Sequence, residues 1–316
     1  MILINLILFL LFLSLAIKSA DYSIKYSLKL SNILKLPEFI VSFFIIAFIS
    51  VLPEALISIM ASLNNLPKLG FGTLIGSNIA DLTLVFGIAA LISSKGIKIK
   101  SKILKNNFFY LILLFFPLLL GLDGTFSRID GFILLLAGVI FFFRIYNESK
   151  RFHKRFDNKK KEKRFFLKDL ILLILSLFSL ILFSNLTVKY TSLFAQNAGI
   201  PETLLGITLI AFGTCFPELV FSIKSIKENH GELALGDILG TVITDATIIL
   251  GIVCLISPFS YDIKNVYLLS GAMFVSSVCL VSFMESDKVL KKLEGVLLIL
   301  LYIIFLILEF LINGSL

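Results

Sequence analysis

Four acids stand inside segments too apolar to hold acids cheaply. Glu54, Asp81, Glu218 and Asp245 all lie within runs of Leu, Ile, Val and Phe. A charge at the centre of a membrane helix costs about 2.5–3.5 kcal/mol on insertion scales. Four carboxylates near one bilayer midplane therefore need metal ions or protons. A divalent ion offsets two negative charges at once, and proton release on cation binding gives a direct route to exchange.

The neighbours of these acids add oxygen. Pro53 and Pro217 directly precede Glu54 and Glu218. Proline lacks an amide hydrogen and clashes with the carbonyl one turn earlier. Carbonyls around Ile49–Ser50 and Gly213–Thr214 are thereby released, and in lipid they need a partner or a wet cavity. Free carbonyls beside carboxylates form the hard-oxygen set that suits calcium and, with fewer charges, sodium. The plainer reading, a proline kink with each glutamate paired to a base, meets the fact that no Lys or Arg lies centrally in any apolar run.

Spacing places further groups with them. Ser77 and Asp81 are four apart and share one helix face, as do Thr241 and Asp245. Gly72, Gly76, Gly236 and Gly240 clear a stripe of side chains, which predicts close packing. The expected partner of Gly72 and Gly76 is the preceding crossing, so that Asp81 approaches Glu54. Asn78 adds a polar side chain that Val242 lacks. Asp237, matched by Thr73, lies nearer the cytoplasmic end and is assigned to ion access rather than to the centre.

These elements occur twice. Residues 37–92 and 201–256 align without a gap at an offset of 164, with 20 of 56 positions identical. Pro37-Glu38 matches Pro201-Glu202, and Ala47-Phe48 matches Ala211-Phe212. The two Pro-Glu breaks and the two Gly-x-x-x-Gly stripes also coincide. Duplicated polar and helix-breaking residues point to one site built from two halves.

The chain of 316 residues is 58% hydrophobic and 16% charged, with mean hydropathy +1.01. That excludes a soluble globular domain of this length and fits several helical crossings. Ten are predicted, near 2–19, 37–64, 70–92, 106–122, 130–146, 167–188, 201–224, 233–256, 264–284 and 293–312. The first is taken as a membrane helix rather than a cleaved leader, because no basic residue precedes its apolar run. The fourth, fifth, ninth and tenth are read as plain packing bulk.

With the N-terminus outside, inner connectors hold 25 of the 29 Lys and Arg, and the outer ones hold only Lys68, Arg128, Lys189 and Lys264. This positive-inside pattern predicts a cell-membrane protein with both termini outside. The net charge of +8 thus reflects topology, with anionic lipid as a contact, rather than nucleic acid. The fold class is all-α and polytopic: ten helices in two inverted five-helix repeats, 1–146 and 167–316, around a basic cytoplasmic connector at 147–166. Cys215, Cys254 and Cys279 lie in apolar runs and His153 and His230 in charged connectors, so neither a disulfide framework nor a histidine metal cluster is expected.

Two other classes fit these residues less well. Paired aspartates in a membrane can serve an aspartyl protease, which needs no duplicated Pro-Glu breaks, so no enzyme is predicted. A passive channel usually draws selectivity from a ring of subunits, whereas this site lies within one chain.

Ala211-Phe212-Gly213-Thr214-Cys215-Phe216-Pro217-Glu218 resembles the alpha-repeat motif of sodium/calcium exchangers, in the cation/calcium exchanger superfamily. Gly72 through Asp81 resembles the second part of that motif, and the resemblance covers both repeats. It implies calcium exchanged for sodium, with proton-coupled exchange of calcium or another divalent cation as the alternative. It also implies that Glu54 and Glu218 bind calcium, helped near Ser50 and Thr214. Sodium or proton sites would use Ala47, Ser50, Ser77, Asp81, Ala211, Thr214, Thr241 and Asp245. Helices one and six would slide as gates. The transported ions are the only small partners implied, with no cofactor and no obligatory protein partner. Three departures bear on coupling. Val51 and Cys215 stand where the family carries hydroxyls, and Asp81 stands where many sodium-coupled members carry asparagine.

Overall fold

A computed structural model describes residues 2–33, 50–93, 96–98, 107–149, 166–227, 231–286 and 289–313. Pro37, Glu38, Ala47, Phe48 and most of the basic connector lie outside these residues. The described chain is almost wholly helical. Among the described residues seven helices are long and apolar enough to cross a membrane, and Leu52–Leu63 and Ile112–Asp123 are shorter apolar helices.

In chain order, α1 spans Ile2–Ile33, α2 Leu52–Leu63 and α3 Pro67–Ala80. A π-helical turn at Asp81–Val85 leads into α4, Phe86–Ile92. Then come β1 (Ile97–Lys98), α5 (Asn107–Leu120), β2 (Thr125–Phe126) and α6 (Arg128–Ser149). The second half begins with α7, Phe166–Ala198. Next are α8 (Glu202–Leu205), a π-turn at Gly206–Ile210, α9 (Ala211–Thr214) and α10 (Phe216–Lys227). Helix α11, Gly231–Thr244, passes through a π-turn at Asp245–Ile249 into α12, Leu250–Ile256. The chain ends with β3 (Phe259–Ser260), α13 (Ile263–Ser286), β4 (Val289–Leu290) and α14 (Lys292–Asn313).

The two outermost helices are longer than expected. Helix α1 runs on to Ile33 rather than stopping near residue 19, and α7 runs to Ala198 rather than 188. No Gly or Pro interrupts either segment, and each has the other to lie against. Their contacts run antiparallel. Phe12 stacks on Phe183 and Tyr190, Ser23 hydrogen-bonds Ser176 at 3.0 Å, and Lys29 reaches Asp169 at 3.6 Å. The ion pair is half exposed on the lysine side and adds little. At 1.5 Å per residue, 32 residues span about 48 Å, well beyond a hydrocarbon core of about 30 Å.

The core is elsewhere. Span 67–92 is 78% buried and span 236–256 is 83% buried, against 22% to 33% for spans at the N-terminus and within α7, α13 and α14. Helices continuous through both α3–α4 and α11–α12 therefore form the centre, sheathed by the rest.

Glycine sets the closest approaches. A β-carbon at Gly87 would lie 2.7 Å from the Gly295 carbonyl oxygen, and one at Gly295 would lie 2.8 Å from that of Gly87. Gly131 and Gly251 meet in the same way, at 2.7 and 2.8 Å. Only residues without a side chain let α4 cross α14, and α6 cross α12, at backbone contact.

Two short antiparallel pairs tie connectors together: β1 with β4 (Ile97 opposite Leu290) and β2 with β3 (Thr125 opposite Ser260). Beside the second pair, Phe71, Phe126, Phe259 and Tyr261 form an aromatic cluster with centroids 4.9–5.5 Å apart.

Candidate cation-binding centre

Both Pro-Glu elements interrupt their helices. In the second half a turn at Cys215 separates α9 from α10, and the Leu219 amide donates to the Cys215 carbonyl at 3.0 Å. In the first half the turn falls at Val51, and the Ala55 amide donates to the Val51 carbonyl at 2.9 Å. Pro53 and Pro217 sit in the first turn of the helix that follows, where a missing amide hydrogen costs nothing. Glu54 and Glu218 then project from the start of α2 and α10, and both are fully buried.

Asp81 and Asp245 each open a π-turn. Such turns widen a helix by one residue and occur often at functional sites. Both aspartates are fully buried, as are Ser77 and Thr241 one turn before them. The four acids lie within electrostatic reach of one another: Glu54 feels Glu218, Asp245 and Asp81.

Their hydrogen bonding is far from complete. Both carboxylate oxygens of Glu54, Glu218 and Asp81, and Oδ1 of Asp245, are buried without a partner. Asp245 Oδ2 has Ser77 Oγ at 3.5 Å, the outer limit of a hydrogen bond. Both amide atoms of Asn78 are likewise unpartnered. Among the described residues no Lys or Arg is buried. No three His, Cys, Asp or Glu side chains among them close on one point as a metal cluster.

The hydroxyl groups divide into two sets. Ser50 Oγ donates to Asp237 Oδ1 at 3.1 Å and lies 3.0 Å from Thr241 Oγ1, joining α11 to the chain just before α2. In the other set, Thr214 donates to the Ala211 carbonyl, Ser77 to that of Leu74 and Thr73 to that of Leu69, each within its own helical segment. Cys215 Sγ donates to the Ser77 carbonyl at 3.5 Å and lies beside Asp81. Ala211 is buried, its methyl 2.9 Å from where a Gly76 β-carbon would stand.

The glycine stripe has a different neighbour from the expected one. A β-carbon at Gly72 would lie 2.8 Å from the Thr203 carbonyl oxygen, and one at Gly76 would lie 2.6 Å from that of Ile207. The partner of α3 on this face is thus α8 and its π-turn, in the other half of the chain. It is Gly70 that meets α2, at the Ser58 carbonyl. Gly236 meets no described atom within 4 Å. The segment matching Thr203–Ala211 at the same offset, 39–47, lies outside the described residues.

Two polar groups escaped the sequence reading. Glu309, in α14, is 1% exposed, with Oε1 accepting from Asn313 and Oε2 unpartnered. Tyr302, also in α14, is buried within electrostatic reach of Cys215 and Asp81. Helix α14 therefore carries more than the packing bulk expected of 293–312. The cost of an acid in an apolar run, which flagged the other four, flags Glu309 equally.

Apolar helices wrapped around uncompensated acids define a helical membrane transport protein. Comparison with known proteins narrows the class. A family model described as sodium/calcium exchanger protein matches residues 4–146 and 168–311. The sodium/calcium exchanger MaX1 of Methanosarcina acetivorans is 27% identical, over 98% of this chain and 99% of that one. The uncharacterized membrane protein MJ0091 of Methanocaldococcus jannaschii is 31% identical, over 94% and 95%. A solved structure of the sodium-calcium exchanger NCX_Mj, soaked with 2.5 mM Na+ and 10 mM Sr2+, superposes with TM-score 0.66 at 29% identity, covering 96% and 98% of the two chains. The chain belongs to the sodium/calcium exchanger protein family. MaX1 and NCX_Mj are exchangers, not enzymes.

Proposed function

We propose that this protein is a secondary-active antiporter that exchanges calcium for sodium by alternating access. One observation carries the reading: seven carboxylate oxygens of four central acids are buried without a hydrogen-bond partner, and no buried base accompanies them among the described residues. Such oxygens require a cation or a proton. Glu54 and Glu218 are the calcium ligands, supplemented by neutral oxygens near Ser50 and Thr214. Two carboxylates plus neutral oxygens is a ligand set that needs no cluster of three acids, in keeping with the geometry. Sodium uses the same glutamates with Ala47, Ser77, Ala211 and Thr241, and Asp81 and Asp245 hold ions, water or protons at the centre.

The same reading gives ten crossings in two inverted halves, 1–146 and 167–316, with both termini outside and the connector 147–166 cytoplasmic. Recurrence at offset 164 supports it. The π-turns begin at Asp81 and Asp245, and the helix breaks fall at Val51 and Cys215. The crossing of Gly87 with Gly295 maps onto that of Gly251 with Gly131. The antiparallel α1 and α7 lie outside the buried core, where a pair sliding as gates belongs.

Proton coupling is the second reading. Val51 and Cys215 remove two hydroxyls, and Asp81 adds a titratable group with both oxygens unpartnered.

The test is calcium uptake into liposomes holding the purified protein, under an outward sodium gradient and, separately, an outward proton gradient. Uptake driven by sodium at fixed pH supports sodium/calcium exchange. Uptake driven by protons alone replaces it with the second reading. Uptake under neither gradient overturns calcium as the substrate.

A further inference from the structure

Glu309 is a buried acid that stands apart from those at the centre. It is the last member of the buried stripe of α14 formed by Gly295, Leu298, Tyr302, Phe305 and Glu309. Seven residues, nearly two turns and about 10 Å of rise, separate it from Tyr302, which lies within electrostatic reach of Asp81. Its Oε1 accepts from Asn313 at 2.6 Å, whereas its Oε2 is buried without a partner. The Tyr261 hydroxyl is a second orphan in the same region. It too is buried without a hydrogen-bond partner, within electrostatic reach of Glu309 and beside Thr203. Two unpaired polar atoms thus stand near each other without bonding each other.

The surroundings hold this arrangement in place. The Tyr261 amide donates to the Gly124 carbonyl at 2.7 Å, and its ring lies edge-on to Phe71 with centroids 4.9 Å apart. The acids next to these residues in sequence are engaged elsewhere: Glu202 accepts from Ser192, and Asp262 is exposed and accepts from the Lys264 amide. At the offset that pairs Gly131 with Gly295, the residues Thr203, Tyr261 and Glu309 correspond to Phe39, Ile97 and Ile145. The other half places apolar residues at all three positions, so the polar trio is not a requirement of the shared scaffold.

We propose that Glu309, Tyr261 and Thr203 form a separate binding site for a monovalent cation, two turns of α14 away from the central acids and with no equivalent in the other half. One carboxylate with two hydroxyls supplies a single negative charge and hard oxygens, which fits sodium better than a divalent ion. A cation between Glu309 Oε2 and the Tyr261 oxygen satisfies both orphans at once. With the orientation proposed above, the site faces the outside. Binding there rests on these three residues alone, and only its place on the way to the centre rests on the reading of the centre as a cation pathway.

Equilibrium binding of radiolabelled sodium to the purified full-length protein tests this, with calcium binding measured on the same samples. The same titration on the Glu54→Gln, Glu218→Gln protein isolates sodium held away from the centre. Glu309→Gln is expected to abolish that remaining sodium binding and, in the otherwise unaltered chain, to leave calcium binding in place. Tyr261→Phe keeps the ring against Phe71 and removes only the hydroxyl, and it is expected to weaken the same sodium binding about tenfold. If Glu309→Gln does not fold, Tyr261→Phe decides alone. Unchanged sodium binding in both variants would overturn the proposal and leave Glu309 as a protonated structural group. Loss in Glu309→Gln with no change in Tyr261→Phe would overturn the site as built here, as would joint loss of sodium and calcium binding in both variants. If the unaltered protein binds no calcium yet shows sodium binding that depends on Glu309 and Tyr261, the central reading fails and this site stands.

Discussion

Where both halves of this molecule are described, their backbones break and cross at matching positions, while the side chains there differ. Helix breaks, π-turns and glycine crossings recur at one offset, so those features serve the fold of the site as such. The side chains around them do not recur: Asp237 corresponds to Thr73, Asn78 to Val242, and Val51 to Cys215. Ser50 bridges to Asp237 and Thr241 at 3.0–3.1 Å, whereas Thr214 turns back on its own helix and Ser77 does so with a contact to Asp245 only at 3.5 Å. The repeated features are those of the backbone, and the side chains around them are free to differ.

The largest effect should come from the residues the halves share. Glu54→Gln and Glu218→Gln should each reduce calcium uptake to background while leaving a folded protein in detergent. Wild-type flux in either variant would end the idea of a joint centre. Next come the shared crossings. Gly87→Ala and Gly251→Ala each drive a methyl into a facing backbone and should cost about 1–3 kcal/mol of stability, by similar amounts. Thermal unfolding in detergent measures this, and a tolerated substitution on one side only would break the equivalence.

Differences between the halves should give smaller, graded effects. Asp81→Asn should leave sodium-driven uptake standing and diminish proton-driven uptake, read from flux across a pH series. An unchanged pH profile would remove Asp81 as a proton carrier. Val51→Ser combined with Cys215→Ser restores a hydroxyl on each side and should raise the apparent sodium affinity a few-fold. No change in sodium response would mean that those hydroxyls are not limiting.

Much of the site was legible because acids and prolines are expensive in apolar runs, and because the chain repeats them. Glu54, Glu218, Asp81 and Asp245 needed no more than that, and most helix ends fall within three residues of the apolar boundaries. The partner of a packing stripe was not legible. Glycines at Gly72 and Gly76 announce a close neighbour but not which one, and the neighbour proved to be Thr203 and Ile207, across the halves. The lengths of α1 and α7 also escaped, since a helix ends where its support ends, and each supports the other. The π-turns have no residue signature, because one extra backbone unit is chosen by packing rather than by any side chain.

Those turns have a mechanical meaning. Absorbing one extra residue in a turn offsets each residue downstream by about 100° from where an unbroken α-helix would place it. Upstream of Asp81, Gly72 and Gly76 address α8 and its π-turn, and downstream Gly87 addresses α14. The extra residue acts as a fixed angular offset that lets one continuous rod mesh with two different neighbours, with the acid at the joint between the two settings. Wound as an unbroken α-helix, the same residues would leave Asp81 where it is and turn Gly87 away from Gly295.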